Sequence, residues 1–218
     1  MHKIQLFCLF FCLFFSSIVT AQIPVEVLFG HKKSTLDVLF FRNIKTKEEK
    51  SSPFLFFNRN RVSIDYHQTH TSYLPQFGNT NAMSFNLPKL KGIAPVAVLQ
   101  ISGIGVFPKA GLQYFHRQHD FMVFTWLVGE LLSQPNIDWF LLTRYLPKIS
   151  KKIHLFSQLE LFSALPTAET KPYSLFQRMR LGIKINSFSF GGAADFGAIG
   201  RNTKVKTRNF GSFVRYDF

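Results

Sequence analysis

The segment His67-Gln68-Thr69-His70-Thr71-Ser72 holds the densest set of residues able to do covalent chemistry. On a strand, His70 and Ser72 would share a face, where a general base must stand to take a proton from a hydroxyl nucleophile. The two histidines could instead coordinate a metal, but Asp65 is the only carboxylate nearby and two imidazoles do not close a site. His116 and His119 beside Asp120 form a similar small group in a turn-like stretch. Histidines in connecting segments are ordinarily just solvated. Gly191-Gly192 and Gly197-Ala198-Ile199-Gly200 lack the Lys-Ser/Thr and the following helix that a phosphate-binding loop needs. The expectation is no catalytic site, no cofactor and no metal.

A second kind of chemistry, electrostatic rather than covalent, is spaced more regularly. In residues 173–185, Arg178, Arg180 and Lys184 fall on alternate positions with Ser174, Phe176 and Gly182. Tyr173, Leu175, Gln177, Met179, Leu181, Ile183 and Ile185 take the other positions. A helix would scatter the three cations around its axis, whereas a strand puts them on one face. Residues 153–165 repeat the arrangement, with Ile153, Leu155, Leu159, Leu161 and Leu165 opposite His154, Gln158 and Glu160. Ile137, Trp139, Leu141, Thr143 and Tyr145 likewise oppose Asp138 and Arg144.

On the polar face the charges nearly cancel. Arg61, Arg144, Arg178, Arg180, Lys184 and Arg215 stand against Asp65, Glu130, Asp138, Glu160, Asp195 and Asp217. Two readings of this set stay open. It could be a selective constriction in which Arg144, Arg178, Arg180 and Lys184 attract an anion while Asp138 and Glu160 narrow the path. It could equally be a network of ion pairs that closes an interior. Phe140, Leu142, Phe156, Phe162, Phe176 and Phe213 share the same parity, so a largely filled interior is expected and a wide pore is not.

What must position these faces follows from the rest of the chain. Met1-His2-Lys3 gives a positive start, residues 4–15 are apolar apart from Gln5, and small residues lead to a cleavage position after Ala21. That order is a secretory signal peptide over residues 1–21, leaving 22–218 as one domain. Cys8 and Cys12 both lie in the leader, so the mature chain has no disulfide, thiolate site or cysteine nucleophile. After Ala21 no stretch reaches the roughly 20 apolar residues of a spanning helix. The best attempt, residues 121–132, is short and carries Glu130. Yet the chain has 27 Phe and only 17% charged residues, more apolar surface than a soluble domain readily hides. The remaining way through lipid is a closed barrel, in which backbone groups pair between strands and none is left at an edge.

The expected fold is therefore all-β, a transmembrane antiparallel barrel of about twelve strands beginning near Ile23, with ten as the alternative. Asn186-Ser187, Arg117-Gln118-His119-Asp120 and Ser133-Gln134-Pro135-Asn136 read as turns, while residues 166–172 and 200–206 read as longer loops. Register stays open in residues 22–105, where Pro53, Pro75, Pro88 and Pro95 interrupt the pattern. Net charge is +14, or +13 without Lys3, and its excess lies in expected connections such as Lys32-Lys33, Lys45, Lys47, Lys50, Lys151-Lys152 and Lys206. Cations there would gain roughly 1 kcal/mol each near an anionic surface. Outer-membrane lipid or lipopolysaccharide is the expected partner; no nucleic-acid recognition motif is present.

The chain ends Asn209-Phe210-Gly211-Ser212-Phe213-Val214-Arg215-Tyr216-Asp217-Phe218, with Phe210, Val214, Tyr216 and Phe218 on one face. This resembles the terminal strand of small Gram-negative outer-membrane β-barrel proteins, and the Thr20-Ala21-Gln22 junction resembles those of Bacteroidetes-type envelope proteins. The resemblance covers the two ends and implies that the barrel-insertion machinery reads the last strand. His70-Thr71-Ser72 also resembles the His-x-Ser element of membrane-embedded lipid hydrolases, but Tyr73 stands where an Asn often follows. Two functions remain: a narrow channel for small polar or anionic solutes, or a non-conducting accessory barrel of an envelope or export assembly. A lipid-modifying enzyme stands a distant third.

Overall fold

The structure, a computed structural model, describes residues 23–45, 51–66, 76–132, 135–167, 172–201 and 205–218. The expected leader and the His67–Ser72 segment lie outside these residues. Period-2 patterning becomes strands throughout: β1 (Pro24–Gly30), β2 (Lys33–Lys45), β3 (Ser51–Asp65), β4 (Gln76–Phe85), β5 (Ile93–Ser102) and β6 (Gly105–Gln118). They continue as β7 (Phe121–Glu130), β8 (Asn136–Tyr145), β9 (Ile153–Pro166), β10 (Tyr173–Ile185), β11 (Phe188–Gly200) and β12 (Val205–Asp217). Each strand pairs antiparallel with the one before it. β1 then pairs with β12 from Pro24↔Asp217 to Gly30↔Gly211, closing a twelve-stranded barrel. Pro24 and Asp217, the first residue of β1 and the last of β12, therefore lie together at one end of the barrel.

The count of twelve and the start beside Ile23 agree with the sequence reading. The interrupted first part also resolves into strands, with Pro53 and Pro95 each the third residue of β3 and β5. Residues 121–130, the nearest thing to an apolar helix, are β7. Lys33, Lys45 and Lys206, expected in connections, belong to β2 and β12. At the start of β12, Val205, Lys206, Thr207 and Arg208 are all exposed, so the alternation of burial fades although the backbone stays paired with β11.

The outer wall is apolar. Leu36, Leu112, Leu127 and Leu181 are 44–61% exposed, and Phe190, Phe210 and Val214 point the same way. Leucines at that exposure all round a barrel need hydrocarbon rather than water outside them, which is the transmembrane band of an outer-membrane fold. A ring of polar groups interrupts it. Asn58 donates to Asn81 (2.7 Å), Asn81 to Asn79 (2.5 Å), Asn79 to Asn60 (2.6 Å) and Asn60 to Asn58 (2.7 Å), closing a ring of four side-chain amides. These positions alternate with the inward Phe57, Arg59 and Arg61, so the ring sits on the outer face. By register it is flanked by Val38, Phe40, Leu99 and Ile101. Each amide gives one hydrogen bond and takes one, which lowers the cost of holding four polar groups against lipid.

Closure depends on close backbone approach at the seam. A Cβ on Gly211 would overlap the carbonyl oxygen of Phe29 on β1, whereas one on Gly129 would meet no heavy atom within 4 Å. Gly211→Val is therefore expected to abolish the folded, heat-modifiable band on gels after refolding, while Gly129→Ala keeps it. A Gly211→Val protein that still migrates as a compact barrel would show that the β1–β12 seam tolerates a side chain there.

The lumen as candidate functional site

Inward positions carry the site, and they divide into a dry part and a charged, open part. Two apolar clusters form the dry part. Phe57, Phe124, Trp126 and Phe140 lead the larger, with Leu39, Val96 and Leu142 around them. Leu28, Phe156 and Phe213 make the smaller. The rings interlock: Phe57 stacks on Phe124 at 5.4 Å between centroids and meets Trp126 edge-on at 5.2 Å. Every strand contributes an inward side chain that water barely reaches: Leu28, Leu39, Phe57, Ala82, Val96, Gln113, Phe124, Leu142, Phe156, Arg180, Ser189 and Phe213. Leu39, at 6%, is the most exposed of these. At the level of these residues the interior is packed like a protein core.

Beyond this layer, away from the chain ends, lies a cavity of about 230 Å³. Arg59, Arg61, Arg178 and Lys109 line it together with Asp138 and Glu160, and Phe57, Trp126, Phe140, Phe162 and Phe176 present aromatic surface to it. Its charged wall is one network. Arg59 grips Asp37 with two hydrogen bonds, at 3.0 and 2.7 Å, and Glu160 with two more, both 2.8 Å. Since β3 and β9 stand six places apart in a ring of twelve, the Arg59–Glu160 contact ties opposite walls together. Arg61 pairs with Asp37 at 2.5 Å and approaches Glu160 at 3.8 Å, while Arg178 donates to Glu160 from the neighbouring strand. Three guanidinium groups thus share two carboxylates, which leaves an excess positive charge on the wall. Lys109 pairs separately with Asp138 and bonds Gln100 at 2.8 Å.

All of the charged candidates named from sequence face inward, but they do not form one site. Arg178, Asp138 and Glu160 line the cavity. Arg180 is held in the dry layer by Glu26 at 2.7 Å and Asp195 at 2.6 Å, so its charge is spent on two carboxylates. Lys184 and Arg215 both pair with Asp217, the last residue of β12. Arg144 donates twice to Gln158, at 2.9 and 2.7 Å, and with Arg215 flanks the Phe156 ring. The regular ladder Arg178, Arg180, Lys184 is therefore divided among three environments. Sequence reading missed Glu26, Asp37, Arg59 and Lys109. The alternation of Asp37, Leu39 and Phe41, and of Arg59 with Arg61, was the available signal, masked by apolar residues on both faces of β2 and β3.

The remaining candidates do not assemble. His116 stacks on Tyr114 at 6.4 Å between centroids on the outer wall, and His119 sits in the β6–β7 turn. The His67/His70/Ser72 group lies outside the described residues. Gly191, Gly192 and Gly197 are strand residues of β11. Among the described residues no group of three or more His, Cys, Asp or Glu is placed to hold a metal ion.

The fold is that of the outer-membrane β-barrels, twelve antiparallel strands closed around a lumen of apolar clusters and ion pairs. Comparison of the sequence with protein-family models and with curated proteins found no match. Among solved structures, the chain is similar to the KdgM porin, in one case in complex with disordered oligogalacturonate, at a TM-score of 0.50 and 13% identity. That alignment covers 90% of this chain and 99% of the porin. The NanC porin is similar at a TM-score of 0.50 and 8% identity, over 91% of this chain and 99% of that one. At such identities the likeness is one of fold.

Glu160 is the shared acceptor of Arg59 and Arg178, with a side chain only 2% exposed. Glu160→Gln leaves three partly buried guanidinium groups around one carboxylate, and losing the buried Glu160 charge is expected to cost roughly 3–5 kcal/mol. Urea unfolding of the barrel in detergent measures this. Asp120→Asn, in an exposed turn, serves as the control and should be nearly neutral.

Proposed function

We propose that this protein is an exported outer-membrane barrel that admits small anionic solutes, with the cavity as its vestibule and the apolar layer as the barrier to passage. The observation that carries the reading is the charge imbalance on the vestibule wall, where Arg59, Arg61 and Arg178 share Asp37 and Glu160. A positive wall in a low-dielectric enclosure raises the local concentration of anions. The similarity in fold to a porin described in complex with oligogalacturonate, an acidic sugar polymer, agrees with an anionic solute. In this reading the leader is removed after Ala21, and the insertion machinery recognises the outward Phe210, Val214, Tyr216 and Phe218. Cationic connections meet anionic lipid or lipopolysaccharide at the surface. The selective groups are Arg59, Arg61 and Arg178, while Arg144, Arg180, Lys184 and Arg215 hold the barrel together.

One observation favours a second reading. The interior at the level of Phe57, Phe124, Leu142 and Phe213 is almost inaccessible to water. A barrel sealed there would be a non-conducting accessory subunit of an envelope assembly.

Single-channel recording of the refolded mature protein in a planar bilayer separates the two. The channel reading expects small openings with a preference for anions, and expects Arg61→Gln with Arg178→Gln to move the reversal potential toward cation preference. A silent bilayer from a barrel verified as folded ends the channel reading and leaves the accessory one.

A further inference from the structure

Charge on the outer wall is confined to few places. Along β10, β11, β12 and β1 the buried Arg180, Ser189, Phe213 and Leu28 mark the inward parity. By that parity the outward strand positions hold no Asp or Glu and only two cations, Lys206 and Arg208 near the start of β12. The acids of these strands turn inward, where Glu26 and Asp195 bind Arg180 and Asp217 binds Lys184. Lys206 and Arg208 are exposed, and among the described residues neither meets a carboxylate. Backbone pairing fixes where they stand, with Lys206 opposite Ala198 and Arg208 opposite Phe196 on β11. Two residues apart on one strand face, their Cα atoms are separated by about 7 Å. On the same face, Phe210 meets Phe196 edge-on at 5.5 Å between centroids, and His31 stacks on Phe210 at 5.9 Å. Tyr173, opposite Gly200, carries the Arg201 guanidinium over its ring at 5.5 Å. An aromatic with a polar tip at the end of a strand marks the boundary of the hydrocarbon, which puts the two cations at head-group level.

We infer that Lys206 and Arg208 hold the phosphate group of one membrane lipid against the outer wall, at the end of the barrel away from Pro24 and Asp217. The planar fork of Arg208 can give a phosphate two parallel N–H donors, and Lys206 adds a point charge beside it. The acyl chains then lie along the wall over Phe196, Phe210 and Val214, of which Phe210 and Val214 are 49% and 44% exposed. A soluble phosphate uses only the polar half of this surface. A lipid without phosphate uses only the apolar half. The site is on the outside of the barrel, so a lipid held there does not enter the path of a solute through the lumen.

This inference rests on the reading that cationic rims meet anionic lipid, and it names the residues of one such contact. Native mass spectrometry of the refolded mature barrel, released from detergent, counts bound lipids one by one. The probes are lipid A, fully dephosphorylated lipid A and inorganic phosphate. The first lipid A should bind about tenfold or more tightly than its dephosphorylated form, and excess inorganic phosphate should not displace it. Lys206→Gln with Arg208→Gln should weaken that first lipid roughly 20- to 30-fold. Lys151→Gln with Lys152→Gln removes the same charge from the β8–β9 connection at the other end of the barrel, and should change it by less than about twofold. All four positions are exposed, so both variants should keep the heat-modifiable band. Equal losses in the two variants would overturn the site and leave a diffuse attraction between rims and lipid, the reading it rests on. Equal binding of lipid A with and without phosphate would overturn the site and that reading together. Displacement by inorganic phosphate would overturn the lipid as occupant and leave a site for the free anion.

Discussion

Hydrocarbon offers backbone N–H and C=O groups nothing to bond to, so a strand in a membrane is tenable only if both of its edges are paired. For this chain that constraint converges on one seam, β1 against β12, the only neighbours in the ring that are far apart in sequence. Once the seam is closed, twelve strands enclose a fixed perimeter, and the space inside has to be occupied by side chains, water or both. Every other property of the molecule is an answer to that requirement. Glycines at the seam allow the close approach, and the alternating side chains outside and inside then face two unlike solvents.

The chain fills its interior with two materials that are hard to combine. Interlocked aromatic and aliphatic rings supply volume without polar atoms. Charged groups survive beside them because they are matched in short, multiply bonded pairs; an unpaired ion in such surroundings would be far more costly. Arginine suits this better than lysine, since its planar fork binds two carboxylates at once, as Arg59 does with Asp37 and Glu160. The result is a lumen whose charges are largely paired, with cations in excess where Arg59, Arg61 and Arg178 share Asp37 and Glu160, and again where Lys184 and Arg215 share Asp217. Function, on this view, occupies the remainder left over once the barrel has been held together.

How much of this could be read from the sequence depended on what each strand faces. β8, β9, β10 and β12 set outward apolar residues against inward charges as well as rings, and their alternation is plain in Asp138/Arg144, Gln158/Glu160, Arg178/Arg180/Lys184 and Arg215/Asp217. β2, β3 and β7 separate lipid from the aromatic clusters, so both faces are apolar and the period of two disappears. Phe54-Leu55-Phe56-Phe57 and residues 121–128 show the effect, the latter reading as a short apolar helix. The inward charges that were missed include Asp37 and Arg59 on these same strands. The division of the Arg178/Arg180/Lys184 ladder was not legible at all. It is decided by Glu26 and Asp217 reaching in from strands at the chain's ends and by Arg59 crossing from the opposite wall, contacts that local spacing does not encode.

The ring of four asparagines on the outer wall bears on how the barrel is assembled. Hairpins that slide in the membrane can come to rest in several paired registers, and an apolar wall gives little reason to prefer one. Here only one offset of β4 on β3 brings Asn58 opposite Asn81 and Asn60 opposite Asn79. A slip of two residues would strand amides against Val62, Phe77, Phe56 or Met83, each facing hydrocarbon without a mate. The tetrad thus gives the β3–β4 hairpin one register in which all four amides are satisfied, a preference that the apolar positions around it do not supply.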